Sequence, residues 1–400
     1  MRQGVWLALA AAVAGGISAA SAQHQHSAPP PCAGADLACA TAATPAFAGD
    51  GTLWLAWSSG GQVMAARSGD LGHSFAPAIA INPKAAKIDN GPDARAKIAI
   101  DAAGRIHVAY AVFQDERYNG RVYVSRSSDG GSSFAEPRPI TDDATSQRFE
   151  TLAVDPSGDL LVAWIDKRNA AAARSEGKSY PGAALAFAWA KDGGASVAAA
   201  RIAQDQTCEC CRLAVGFAGP HRPVIAFRNI FDGTTRDHAV MTFADATTPG
   251  PVRRISVDDW KTNVCPHQGP ALAIADSVYH VAWFTNGQAR QGVFYARSAD
   301  GGASFSPPIA VGAKDRAERP ALIAQGHRVW LAWKEFDGQV TRVKLMVSAD
   351  HGVNWGAAET VASTADASDH PLLVSDGRGV FLSWLTKKEG YRLLPLPGAS

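Results

Sequence analysis

Four times along the chain the same octet returns: "SGDLGHSF" at 68–75, "SSDGGSSF" at 127–134, "SADGGASF" at 298–305 and "SADHGVNW" at 348–355, with a degraded copy, "AKDGGASV", from Ala190. Its chemistry is that of a tight hairpin turn. The Asp accepts hydrogen bonds from neighbouring backbone N–H groups, the Gly supplies positive φ, and the final aromatic plugs an apolar layer. A single copy would constrain little, but five in similar context impose a repeat architecture.

What precedes the octets repeats as well. An apolar strand, a turn with Asp and Gly, and a second strand ending in an aromatic recur in "KIAIDAAGRIHVAYAV" (97–112), "TLAVDPSGDLLVAWID" (151–166), "PALIAQGHRVWLAWKE" (320–335) and "PLLVSDGRGVFLSWLT" (371–386), with others beginning at Pro45, Arg212 and Pro270. Seven such preludes stand roughly fifty residues apart. A third strand such as "GVFYARS" and, past the octet, a short segment such as "PPIAV" complete the unit. Helix-period patterning is nearly absent, so the chain is all-β, and strand-rich units of this period stack radially as propeller blades. Six units are full. The seventh lacks its outer strand, and residues 32–41 are expected to supply it.

The octet is similar to the Asp-box, or BNR repeat, of sialidase-like propellers, and the resemblance covers nearly all of the chain after its leader. The signatures of WD40 and kelch propellers are missing. The resemblance implies a sialidase-like β-propeller of four-stranded blades; sialidases have six, whereas the inner-strand units here number seven. Expected boundaries are a signal peptide at 1–22, an N-terminal segment at 23–39 and a single propeller domain at 40–400.

The leader reading rests on Arg2, an apolar run from Val5 to Ala14, and the A-x-A cleavage site Ala20-Ser21-Ala22. The run is too short to span a bilayer. The expectation is a periplasmic or secreted bacterial protein, not membrane-spanning and monomeric. A net charge of +1 gives no electrostatic case for nucleic acid, which wants a basic patch or stripe.

Propeller topology sorts residues by face. The octets share one rim with the turns between first and second strands, so that rim is scaffold. Residues leading into the inner strands share the other rim, where binding loops on a rigid frame are expected. There the sequence places Arg95, Arg148, Arg228, Glu318 and Asp369 as ligand-binding candidates. The bland alternative is a solvated face of ion pairs.

The sialidase resemblance also implies three arginines gripping a substrate carboxylate, a Tyr nucleophile backed by Glu, and an Asp acid/base. The candidates here are Arg212 and Arg319 for the grip, Tyr391 with Glu150 for the nucleophile pair, and Asp93 as acid/base. The R-I-P signature of the first blade is absent: unit one reads "ATAATPAFAGDG", without arginine.

Half of the six cysteines lie in "TCECCRLAVG", which leads into the inner strand of unit four, and "NVCPHQGPALA" leads into that of unit five. Cys208, Cys210, Cys211 and Cys265 with His267 therefore converge on the same rim. The pairing resembles a group of exported bacterial Asp-box proteins with a C-x-C-C run and a later C-P, and the likeness extends to "AFRN" and "VAWFT". Two chemistries are open. An even count in an exported chain favours disulfides among these four, with Cys32–Cys39 closing a short loop, although the adjacent Cys210 and Cys211 each need another partner. Alternatively, thiolates with His267 and His370 suit copper or zinc.

The function expected is an exported propeller holding a small-molecule, glycan or metal ligand at its funnel rather than an ordinary sialidase. The competing class is an exo-α-sialidase or related glycoside hydrolase. N-terminal sequencing of the exported protein is expected to begin at Gln23; retention of residues 1–22 would remove the leader reading.

Overall fold

A computed structural model of the chain describes residues 34–398, and in it each prelude becomes an antiparallel strand pair. The inner strands are Ala43–Phe47, Lys97–Ile100, Gln147–Val154, Ala214–Phe217, Ala271–Ala275, Ala317–Gln325 and Leu372–Ser375. Each pairs with the strand that follows it. Each inner strand also touches the next, and the last touches the first, so the ring closes with seven blades. The six blades implied by the sialidase resemblance are thereby corrected.

One register position repeats in every blade. The residue of the second strand just beyond the partner of the inner strand's first core position is Trp57, Tyr110, Trp164, Phe227, Trp283, Trp333 or Trp384, and all are buried. Burying such a side chain contributes about 1.5–3 kcal/mol. The indole N–H groups still need acceptors: Trp164 donates to Asp166, Trp283 to Asp258, Trp333 to Glu335 and Trp384 to the Asp369 carbonyl. In blade 1 the acceptor is the Ala35 carbonyl, 2.9 Å from Trp57 Nε1, and the Ser59 hydroxyl donates to Gly34 O.

That need draws the N-terminal segment away from its expected role. Leu37–Cys39 is a 3-10 turn, not a strand, and Ala35, Leu37 and Ala40 pack on Trp57 and Met64 of blade 1 and Leu385 of blade 7. Blade 7 keeps three strands. Cys39 is disulfide-bonded; Cys32, its expected partner, lies outside the described residues, as do the leader and the stretch from Gln23.

A second departure concerns blades 3 and 4. Arg201–Thr207 pairs with the third strand of blade 3, Ala183–Lys191, and through Thr207 with Asn229 in the second strand of blade 4. The two blades thus share one nine-stranded sheet. The bridging strand delivers the chain directly into the cysteine turn.

The octets form one turn four times over. In blade 5 the Ser298 hydroxyl donates to Asp300 Oδ1 at 2.7 Å and accepts from Gly302 N at 2.9 Å, while Asp300 Oδ1 accepts from Ser304 N at 3.0 Å. Ser68, Ser127 and Ser348 head matching networks. The turn also latches blade to blade. A Cβ on Gly131 of blade 2 would stand 2.0 Å from the Trp54 ring of blade 1, whereas one on Gly130 would meet nothing within 4 Å. Both glycines have positive φ, so Gly130→Ala is expected to cost only the left-handed backbone term of about 1–2 kcal/mol. Gly131→Ala is expected to cost clearly more in urea denaturation, because the indole must move. Equal losses would mean that the turn is no latch.

Candidate functional site

The rim opposite the octets gathers its charges because successive inner strands begin at the same level around one axis. At the position two before the inner strand's first core pair stand Arg95 in blade 2, Arg212 in blade 4, Arg319 in blade 6 and His370 in blade 7. In blade 6 a bulge between Glu318 and Ala321 sets Arg319 at a φ of 56°. A non-glycine residue is held there only when its surroundings over-determine it.

Arg212 and Arg319 converge on one carboxylate. Asp93 Oδ1 lies 2.8 Å from Arg319 Nη1 and 3.3 Å from Arg212 Nη1, with His370 Nδ1 at 3.9 Å. Arg319 also donates to the His267 carbonyl. Asp93 keeps 19% of its side chain exposed, and Arg212 and Arg319 keep 18% and 15%, so this triad faces solvent. Burial, with Arg319 and Arg95 nearby, lowers Arg212 to about 10 even though Asp93 opposes the fall. Burial and the surrounding Arg319, Arg212, Arg95 and Lys334 charges hold His370 well below its usual range, hence neutral.

Arg95 and Asp369 take another role. Both are buried, joined by bonds of 2.5 and 2.9 Å, and each also binds Ala43 of blade 1 through its backbone. Expected as ligand contacts, they spend these hydrogen bonds on joining blades 7, 1 and 2. Glu318 does lie at the rim, 3.8 Å from Arg319 and 3.5 Å from the Gln268 amide. Arg148 pairs with Asp89 at 2.6 Å and stacks on Phe113 and Phe149.

Glu150 is buried, and neither carboxylate oxygen has a hydrogen-bond partner. Desolvation raises its pKa to about 7, opposed chiefly by the charge of Lys97. Desolvation and Arg95 lower Lys97 to about 8. Tyr391, the expected companion of Glu150, is not beside it. It lies 5.7 Å from Phe75 in the first octet and bonds Ser383, between blades 7 and 1. Lys97 was not singled out in the sequence, whereas the segment 334–338 was expected at this rim. Lys334 lies in the second strand of blade 6, Arg328–Phe336, and Lys97 in the apolar inner strand of blade 2.

The thiols form a separate centre. Cys208, Cys210 and Cys211 are buried free thiols whose sulfurs lie within 4.8 Å of one another, with Cys208 Sγ 3.7 Å from Cys210 and 3.5 Å from Cys211. A disulfide requires about 2.05 Å, so the expected bridges among Cys208, Cys210, Cys211 and Cys265 are corrected to thiols. Hydrogen bonds from the other two thiols, with Arg228 and Arg236 beyond them, pull the Cys208 pKa far down. Cys265 is exposed, and the neighbouring Cys210 thiol lowers its pKa. The histidines expected to join them do not: His267 is exposed with its ring 6.1 Å from Phe149, and His370 faces Asp93. Arg228 is fully buried, and its carbonyl accepts the Cys208 N–H at 2.9 Å.

No protein-family model matches the chain, and no curated protein matches it. Solved structures do. An ulvan lyase of polysaccharide lyase family PL25 superposes with a TM-score of 0.57 at 11% identity, over 87% of this chain and 90% of its own. The polysaccharide lyase Uly1 gives 0.55 at 10% identity, over 89% and 88%. The Hadza microbial sialidase Hz136 gives 0.50 at 15% identity over 73% of this chain, which spans 63% of that sialidase's length. At these identities the likeness defines the fold: a sialidase-like β-propeller.

Glu150 supplies a pH test. A carboxyl whose folded pKa is raised stabilises the fold fully below its unfolded value, near 4.3, and loses that contribution as pH climbs through its folded value. The melting temperature of Glu150→Gln minus that of wild type is therefore expected to rise from about pH 4 to about pH 8. A flat difference would place Glu150 in water.

Proposed function

We propose that the chain is an exported propeller that captures a carboxylate-bearing sugar at the Arg212–Arg319–Asp93 rim, and that the adjoining thiols hold a soft metal ion, copper or zinc. The carrying observation is the imbalance of charge around the axis. Arg95, Arg212, Arg319, Lys97 and Lys334 face Asp93, Asp369 and Glu318, with Glu150 largely protonated below about 7. An excess of fixed cations in a concave site attracts an anion and strengthens its hydrogen bonds. Asp93 already occupies the position that a ligand carboxylate would take between two guanidinium groups, and the partly exposed triad leaves room for exchange.

The neighbours fit this chemistry: one is named a sialidase, and the ulvan lyase is bound to a saccharide containing GlcA. An ordinary exo-α-sialidase remains the competing reading. Against it stands the separation of Tyr391 from Glu150, which leaves no assembled nucleophile pair. The metal reading is supported by the sulfur separations of 3.5 and 3.7 Å, a spacing that thiolates sharing one ion adopt.

Calorimetry with N-acetylneuraminate and glucuronate conjugates, against their methyl esters, tests the first reading. Binding is expected for the acids, lost on esterification and weakened about tenfold or more by Arg319→Gln, while Tyr391→Phe has no effect. Equal binding of acid and ester would sink the proposal. Hydrolysis of a fluorogenic sialoside that Arg319→Gln abolishes would replace it with the glycosidase.

A further inference from the structure

We infer that the buried thiols bind one Cu(I) ion as a three-sulfur site whose negative charge is matched by Arg228 and Arg236, with Cys265 as the surface thiol that hands the ion in. This rests on the reading that the thiols hold metal and goes beyond it in ion, coordination number and counter-charge.

Coordination number comes from geometry. Three sulfurs about 2.3 Å from one ion stand about 4 Å apart in a trigonal plane, close to the 3.5 and 3.7 Å seen before any ion draws them together. A fourth ligand is lacking inside. The group of donor atoms within 4.8 Å comprises Cys208, Cys210 and Cys211 alone, and Cys265 is exposed. His238 is buried with Nδ1 unpartnered but is not in that group. Structural zinc sites are closed by four ligands, whereas soft thiolates also select Cu(I).

Charge chooses between the ions. Arg228 is 0% exposed, and its Nε and Nη1 have no hydrogen-bond partner. Its remaining nitrogen donates to the Gln268 and Phe284 carbonyls, and its guanidinium carbon sits 4.1 Å over the Trp260 ring. Arg236 donates to Thr262 O and, at 3.3 Å, to Cys208 Sγ. Among the described residues neither pairs with a carboxylate; the nearby Glu209 is held by Lys167 at 2.8 Å. An unpaired buried guanidinium such as that of Arg228 is strongly unfavourable, and half-buried Arg236 already reaches Cys208 Sγ, so the anion that answers this pair is the sulfur cluster. Three thiolates around a monovalent ion carry two negative charges and match both arginines. Around a divalent ion they carry one and leave an arginine unmatched. Cys265 is the exposed thiol, and it is assigned the role of connecting the cluster to solvent.

The test uses the full chain, reduced without thiols under anaerobic conditions, and titrates Cu(I) against a chromophoric Cu(I) chelator and Zn(II) against a zinc dye. One Cu(I) per chain is expected, lost in Cys208→Ser, Cys210→Ser or Cys211→Ser. Cys265→Ser should slow loading yet leave affinity within about threefold, and Arg236→Gln should weaken it about tenfold while Arg236→Lys restores it. Melting curves of the metal-free Arg236 variants matching wild type would tie that loss to charge rather than folding. Zn(II) held more tightly than Cu(I) and released by Cys265→Ser would overturn the inference and leave the metal reading intact. An unchanged Cu(I) affinity in Arg236→Gln would also overturn it. Free thiols that bind neither ion would end both.

Discussion

A ring of blades holds only if its last member meets its first, and here one carboxylate performs that junction. Asp369 of blade 7 accepts the Ala43 N–H of blade 1 and grips Arg95 of blade 2, whose guanidinium returns to the Ala43 carbonyl. Three blades are thereby tied at one buried point. A lone buried charge would be costly, but each partner has the other and the backbone groups around it. Two members of the solvent-facing rim hang close to this closure, since His370 follows Asp369 and Asp93 stands two residues before Arg95.

The closure also explains the division of labour among the rim arginines. Arg95 stands at the same level as Arg212 and Arg319 yet is saturated, which leaves two guanidinium groups and Asp93 facing solvent. The electrostatic result is an acidic side chain bracketed by cations, with neutral His370 between them. Blade 4 carries both centres: Arg212 follows Cys211 directly, so the anion rim and the thiol cluster lie back to back on one turn.

Much of this was legible in the sequence where the signal is local and repeats. The octet states its own hydrogen bonds: Ser, Asp and Gly at fixed offsets form the same turn in blades 1, 2, 5 and 6. The preludes gave seven inner strands, and the rim assignment brought Cys208, Cys210, Cys211 and Cys265 together across more than fifty residues. What was hidden depends on pairings between distant blades. No local pattern tells that Arg95 answers Asp369, that Tyr391 lies against Phe75, or that Arg228 is buried over the Trp260 ring, because these follow from ring curvature. The place of residues 34–41 turned on two donors of blade 1, the Trp57 indole N–H and the Ser59 hydroxyl, each needing a carbonyl.

The strand Arg201–Thr207 makes this propeller uneven. Where other neighbouring blades meet through side chains, blades 3 and 4 are continuous through the backbone pairing of Thr207 with Asn229. The ring therefore has two kinds of joint: a continuous backbone ladder between blades 3 and 4, and the buried Arg95–Asp369 tie that joins blades 7, 1 and 2. The thiols sit at that ladder. Backbone pairing on both sides of the turn sets their spacing, whereas the anion rim is assembled from side chains that lead into blades 2, 4, 6 and 7.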